Sequence, residues 1–240
     1  MGRRVDGQWG GKMSMRWVVA LGSCALLIAG CTAEEHDSPA SRDDLLPSIE
    51  DLPTGSEVDV LEGEEQLVLS VALDAINSGE SRSDSETYTP TECAEHSRYA
   101  DEARISLIED ASAVGVVIDR ERTYIVLVSE TAGDPTRVAE AHTGTCSTYV
   151  RQSSSSTHSY EATVRTERMD LPLKVVDEDA AIVSEVTDPV NPNWSNTEVT
   201  LGFASVSGYS VLVVAHQGKD SQPEFDDIFT RSIEKVRSKT

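Results

Sequence analysis

The sequence predicts an α+β domain, a mostly antiparallel sheet packed against helices on one side. Three observations carry this. Pairs of β-branched runs are separated by only a few polar residues, as in hairpins. One long C-terminal stretch has the apolar spacing of a helix, with Phe225, Ile228, Phe229, Ile233 and Val236 on one face. Strands and helices do not alternate strictly as βαβ units, so the sheet is not a parallel one.

The elements follow in order. Leu45-Leu46-Pro47 and Asp51-Leu52-Pro53-Thr54-Gly55 form a turn-rich lead into the domain, and Glu57 to Leu61 alternates as a short strand. Glu62 to Ile76 has strand-like alternation at Leu67, Leu69, Val71 and Leu73. Its acidic start and its Asn77-Ser78-Gly79 stop favour a helix. Ser78 to Thr87 reads as a polar loop. Thr89-Pro90-Thr91-Glu92 starts a helix, with Thr89 as cap, that carries Cys93 and ends near Glu102.

Val114 to Ile118 and Tyr124 to Val128 form a hairpin across Asp119-Arg120-Glu121-Arg122. Asp134-Pro135 caps a further helix, whose stripe is Val138, Ala141, His142, Cys146 and Tyr149. Tyr160 to Glu167, Ile182 to Thr187, Val199 to Val206 and Tyr209 to His216 are strands, the last two joined by a tight turn at Ser207-Gly208. Ser221 to Lys239 is the final helix. Ser221 and Glu224 make its capping box, and Lys235, Arg237 and Lys239 sit at its negative end.

Ahead of the domain lies a targeting segment. The apolar run Trp17 to Ile28 is shorter than the ~20 residues a membrane span needs and suits a signal-peptide core. Arg16 precedes it and Ile28-Ala29-Gly30-Cys31 ends it, the pattern of a lipobox. Residues 1–30 are thus expected to be a signal peptide, with Met13 or Met15 as its true start. Cys31 is the expected lipidation site, because its thiol can carry a diacylglycerol and two acyl chains give stable anchoring. Residues 31–44 read as a lipidated flexible tether and 45–240 as a single domain. The expected location is the extracytoplasmic face of the cell membrane.

The full chain has 42 acidic and 20 basic residues, a net charge of −22. Such a chain repels phosphate backbones, which argues against nucleic-acid binding. It also repels anionic headgroups, so the lipid and not a basic patch must hold it at the membrane.

Cys93 and Cys146 are the only cysteines after Cys31. In an oxidising compartment the simplest state of such a pair is a disulfide. The alternative is a zinc set of Cys93, His96, His142 and Cys146, whose spacings each place two ligands on one side of a helical turn.

The order of landmarks resembles a family of actinobacterial, especially mycobacterial, exported lipoproteins of unknown function. That family is similar to the extracellular sensor domains of certain mycobacterial serine/threonine kinases. The residues that carry the resemblance are Leu46-Pro47, Asp51 to Gly55, Thr89 to Ala94, Cys146 to Tyr149, Val206 to Val213 and the helix Phe225 to Arg237. It implies an α+β sandwich with a Cys93–Cys146 disulfide and a cleft for a ligand. It supplies no catalytic residues, and the chain lacks the cysteines for the kinases' additional disulfide.

Chemistry-bearing motifs are few. Ser205 and Ser207 precede Gly208 without the first glycine of a nucleophile elbow. Asp177-Glu178-Asp179 lacks the alternation and glycine of an EF-hand loop and reads as a solvated turn. Trp194, the sole tryptophan after Cys31, stands in the Pro- and Asn-rich stretch Pro189 to Asn196 and is a candidate binding residue. The expectation is a non-enzymatic, lipid-anchored envelope protein that binds a ligand or a protein partner as a sensor-like domain, without a cofactor. The alternatives are an envelope hydrolase with an unmarked site and a Cys/His metal-binding lipoprotein.

Overall fold

The computed structural model describes residues 41–61, 85–109, 111–118, 122–131, 133–154, 159–176, 178–216 and 221–240. The expected signal peptide, the expected lipidation site Cys31, most of the expected tether and the expected helix at 62–76 lie outside the described residues.

One nine-stranded sheet organises the domain, every neighbouring pair antiparallel. Its strands are β1 (Ser56–Leu61), β2 (Ser85–Thr89), β3 (Ala111–Ile118), β4 (Arg122–Ser129), β5 (Thr148–Ser154), β6 (Ser159–Met169), β7 (Asp179–Pro189), β8 (Thr197–Val206) and β9 (Tyr209–Ala215). Their spatial order is β1-β3-β4-β9-β8-β7-β6-β5-β2. The helices are α1 (Arg42–Leu45), α2 (Cys93–Glu109), α3 (Pro135–Ala141) and α4 (Gln222–Lys239), with 3-10 turns at Ile49–Asp51 and Gly144–Ser147. The α+β class and the antiparallel sheet are as the sequence predicts.

The expected one-sided cover is not. Helices lie on both faces of the sheet. On one face Tyr124, Val126, Val128, Val211, Val213, Ala204 and Ile182 pack against Phe225, Ile228, Phe229, Ile233 and Val236 of α4. On the other, Leu127, Leu201, Phe203, Leu212 and Val214 meet Leu107 and Ile108 of α2 and Val138 of α3. The two sets alternate along each strand, so the central strands are apolar throughout. Toward β5 and β6 the α4 face is open. There β6 buries Tyr160, Ala162, Val164 and Thr166 on the α2 side only.

The hairpins form where expected. β3 and β4 pair from Ala111 with Ser129 to Ile118 with Arg122. Ser207 and Gly208 both adopt positive φ, 51° and 87°, in the two-residue turn between β8 and β9. Gly202 on β8 is needed for a different reason. A Cβ there would come within 3.0 Å of the Phe225 and Phe229 rings, so the bare backbone lets α4 lie close to the sheet.

Several boundaries differ from expectation. Ser85 to Thr89, placed partly in a polar loop, is strand β2. From Glu86 to Thr89 only the Tyr88 side chain is buried, so its alternation is hard to see. Thr89 ends that strand rather than capping a helix, and the Thr89–Pro90 peptide is cis. Helix α2 begins at Cys93 and runs to Glu109, well past Glu102. Helix α3 stops at Ala141, so Cys146 lies in the following 3-10 turn and Tyr149 in β5. Ser221 makes no side-chain cap on α4. Glu224 turns instead to Arg122 at 2.5 Å and the Tyr124 hydroxyl at 3.2 Å. Arg42 to Asp44, expected to end a flexible tether, are helical, with Ser41 and Asp44 forming a capping box.

Candidate functional site

Helix α2 is where the structure concentrates unusual chemistry. Its first residue, Cys93, is bonded to Cys146, with a Cα–Cα distance of 5.5 Å. The bridge is buried with Tyr88, Tyr149 and Val164. It ties the start of α2 to the turn before β5, and both thiols are consumed, so no thiolates remain for a zinc set. The two histidines of that set stand apart in role. His96 lines a surface pocket, and His142 is buried at the end of α3.

Below the bridge the inward side of α2 is polar. Ser97 and Arg104 are buried there, beside Asp101. They face a sheet surface that also carries buried Arg151, Thr166 and Glu185, with Tyr88 and Tyr149 alongside. Arg104 is paired with Asp101 on its own helix. His142 Nδ1 lies 3.9 Å from Glu185, and Arg151 Nε lies 3.9 Å from Glu86. Thr166 donates its hydroxyl hydrogen to the His142 carbonyl, fixing the end of α3 to β6.

Burial shapes the electrostatics of this layer. It drives the His142 imidazole down to about 4, helped by the nearby Arg104 cation, so the ring is neutral at physiological pH. Burial raises the Asp101 carboxyl, with Arg104 opposing. Tyr88 is pushed up to about 12 by the same desolvation. Among the described residues, Arg104 Nε, His142 Nε2 and Arg151 Nε and Nη2 are buried without a hydrogen-bond partner. Unpaired polar groups in a core are costly, so this layer is a buried polar cluster rather than ordinary apolar packing.

On the outer side, α2 and α3 flank a groove. A pocket of about 190 Å³ is lined by Glu95, His96, Tyr99, Arg137, Glu140 and Ala141. The Arg137 guanidinium sits 4.1 Å from the Tyr99 ring centroid, a cation–π contact that forms its floor. A second hollow of about 280 Å³ continues along α2 past Tyr99 to Gly133 and Asp134. Gly133 is held there by its N–H donating to Ser210 Oγ at 2.7 Å. Asp134 caps α3, accepting from the Arg137 N–H at 2.9 Å, and so positions Arg137 over Tyr99.

Trp194, the binding candidate from sequence, lies in the β7–β8 connection. Its half-buried ring stacks on Tyr160 of β6 at 4.8 Å, and Arg151 lies 5.8 Å from the other member of that pair. The structure therefore ties Trp194 to the sheet, away from the α2–α3 groove residues. Neither the groove nor the buried polar cluster is legible residue by residue in the sequence. Their members come from α2, α3, β5, β6 and β7, and no local motif joins them. The one available signal was the weak apolar stripe of α2.

The molecule is thus an antiparallel α+β domain with a groove beside a disulfide-pinned helix. The same fold is found in the crystal structure of an uncharacterised Mycobacterium smegmatis protein, the Rv0999 ortholog. The likeness has a TM-score of 0.51 at 13% identity and covers 83% of this chain and 98% of that one. No family model matches the sequence, and no curated protein sequence does.

Proposed function

We propose that this chain is an exported lipoprotein, anchored through Cys31 at the extracytoplasmic face of the cell membrane, whose domain binds a small polar ligand or a partner's side chain rather than catalysing a reaction. The observation that carries the binding half is the α2–α3 groove. Glu95, Glu140, His96 and Arg137 over Tyr99 offer charges of both signs around an aromatic wall. That lining suits a charged, hydrogen-bonding ligand and disfavours an acyl chain. The anchoring half rests on the lipobox, and the bonded Cys93–Cys146 pair is the state an oxidising compartment favours. Among the described residues no helix is long and apolar enough to cross a membrane. The kinship proposed from sequence, with actinobacterial lipoproteins and kinase sensor domains, is in keeping with a sensing or accessory role.

Two measurements test the reading. Incorporation of an alkyne fatty acid is expected in the wild type and absent in Cys31→Ala; labelling of both would remove the anchor. Native mass spectrometry of residues 32–240 purified from an oxidising compartment is expected to find a co-purifying small molecule that Arg137→Ala loses. Retention of that molecule by Arg137→Ala, with loss in Trp194→Ala, would move the site to the β7–β8 connection.

A further inference from the structure

The α2–α3 groove is lined by charges that the fold leaves unmatched. The Arg137 guanidinium lies 4.1 Å from the Tyr99 ring centroid and pairs with no carboxylate among the described residues. Yet Glu140 follows it three residues later on α3, and Glu95 of α2 lines the same pocket. Neither glutamate forms an ion pair among the described residues. Helical neighbours of this kind do pair elsewhere in the chain, as Arg104 with Asp101 and Arg231 with Asp227. Here the aromatic ring holds the cation away from both acids.

That lining selects against a ligand of one sign. A purely anionic ligand would meet Glu95 and Glu140, and a purely cationic one would meet Arg137. A ligand carrying both charges answers all three groups. The pocket is about 190 Å³, so the two charges belong to one small head. An α-amino acid has such a head. Its carboxylate matches the planar fork of arginine, and its ammonium sits one carbon away.

The neighbouring hollow bears on the side chain. It shares Tyr99 with the pocket and runs along α2 to Ser106, seven residues or about 10 Å of helix. Its volume is about 280 Å³. Its charged residues are Glu102 and Asp134, and no basic side chain lines it. Glu102 meets Arg98 at 3.9 Å, with both side chains about 70% exposed, a contact weak enough to be exchanged. Asp134 is occupied by its cap on α3. Beneath the hollow, a well of about 20 Å³ beside Leu107, Val138 and Phe203 has room for little more than one water. A side chain therefore stays in the hollow, along the acidic wall.

We propose that the groove takes a free α-amino acid with a basic side chain, its carboxylate on Arg137, its α-ammonium on Glu95 and Glu140, and its side chain directed along α2 to Glu102. The proposal rests on the binding role given to this groove above and names the ligand class.

The test is isothermal titration of the full chain, solubilised from the expressing cell, with L-lysine, L-leucine, L-glutamate, Nα-acetyl-L-lysine and cadaverine. L-Lysine is expected to bind, L-leucine roughly tenfold more weakly, and L-glutamate not at all. Nα-Acetyl-L-lysine lacks the α-ammonium and cadaverine the carboxylate, and each is expected to lose about tenfold or more. Arg137→Ala should abolish binding. Arg137→Lys, which keeps the charge without the fork, should weaken it about tenfold. Glu102→Gln should bring L-lysine to the level of L-leucine. Urea midpoints equal to the wild type's are expected for these exposed substitutions. Equal binding of L-lysine and cadaverine, or binding that survives Arg137→Ala, overturns the proposal. Absence of binding by every amino acid also overturns it, and if native mass spectrometry still finds a molecule that Arg137→Ala loses, the binding role stands. With no such molecule either, both fall.

Discussion

At the scale of single residues, two positions make sharp predictions. Gly202→Ala would set a Cβ into the Phe225 and Phe229 rings, both fully buried in the core. Overpacking of this kind costs about 1–3 kcal/mol, read as a lower urea midpoint with an unchanged slope. His142 makes the second. Its neutral ring faces Glu185 of β7 and Asp101 and Arg104 of α2, and its native value is about 4 against about 6.5 when unfolded. The native state therefore binds fewer protons between those values. Stability should fall as pH drops from about 6.5 toward 4, by up to about 3 kcal/mol from this group, and stay level below. Asp101 acts in the opposite sense, because its raised carboxyl is relieved of a penalty as pH falls. The diagnostic is thus a difference. Urea midpoints of His142→Gln should depend on pH over that window less steeply than those of the wild type. Asp51 behaves as an ordinary acid-sensitive tie. Burial opposes its charge, but Lys235 and Ser48 outweigh burial and hold it at about 2. Its contribution, present above about 3.8, is lost as pH falls through 2.

The elements divide by how local their signals are. Helix α4 was legible because its five buried apolar residues repeat at helical spacing and its charges match the dipole. Its cap was misjudged, since Glu224 serves Arg122 and Tyr124, partners about 100 residues away in sequence. Helix α2 was read seven residues short because Ser97, Asp101 and Arg104 occupy its inward stripe, and a polar stripe gives no amphipathic signal. Strand β2 was missed for a related reason, as an edge strand with one buried side chain. Two element-level tests follow. The Cys93→Ser, Cys146→Ser double variant should lose about 4 kcal/mol in the chain-entropy description of a bridge across 53 residues, measured by denaturant unfolding without reductant. Asp134→Ala removes the cap of α3 and should cost about 1 kcal/mol. If that cap positions Arg137, ligand retention in native mass spectrometry should fall as well.

For the whole molecule, the class and the antiparallel pairing were legible, and the layering was not. Tyr124 to Val128 and Val211 to Ala215 are unbroken apolar runs. Such runs require cover on both faces. The hairpin turns between such runs give no sign of that second layer. The groove and the buried polar cluster are illegible for a deeper reason, because they exist only once elements distant in sequence are neighbours. The same layering predicts a gradient in amide exchange. β4, β9, β8 and β7, buried on both sides, should exchange only through global unfolding, while β1 and β2 at the sheet edges exchange orders of magnitude faster.

The position of β9 has a bearing on biogenesis. The strand that joins the two parts of the sheet, and the helix that seals it, occupy residues 209–239. A chain emerging in sequence order has both sheet edges and most ladders available before it has the strand that joins them. β4 and β8, which both pair with β9, cannot join into one sheet until that strand arrives. When the chain emerges vectorially the domain therefore remains unable to close until nearly all of it has emerged. Molecules interrupted before residue 209 should be efficiently cleared by quality-control proteases rather than persist as half-folded species.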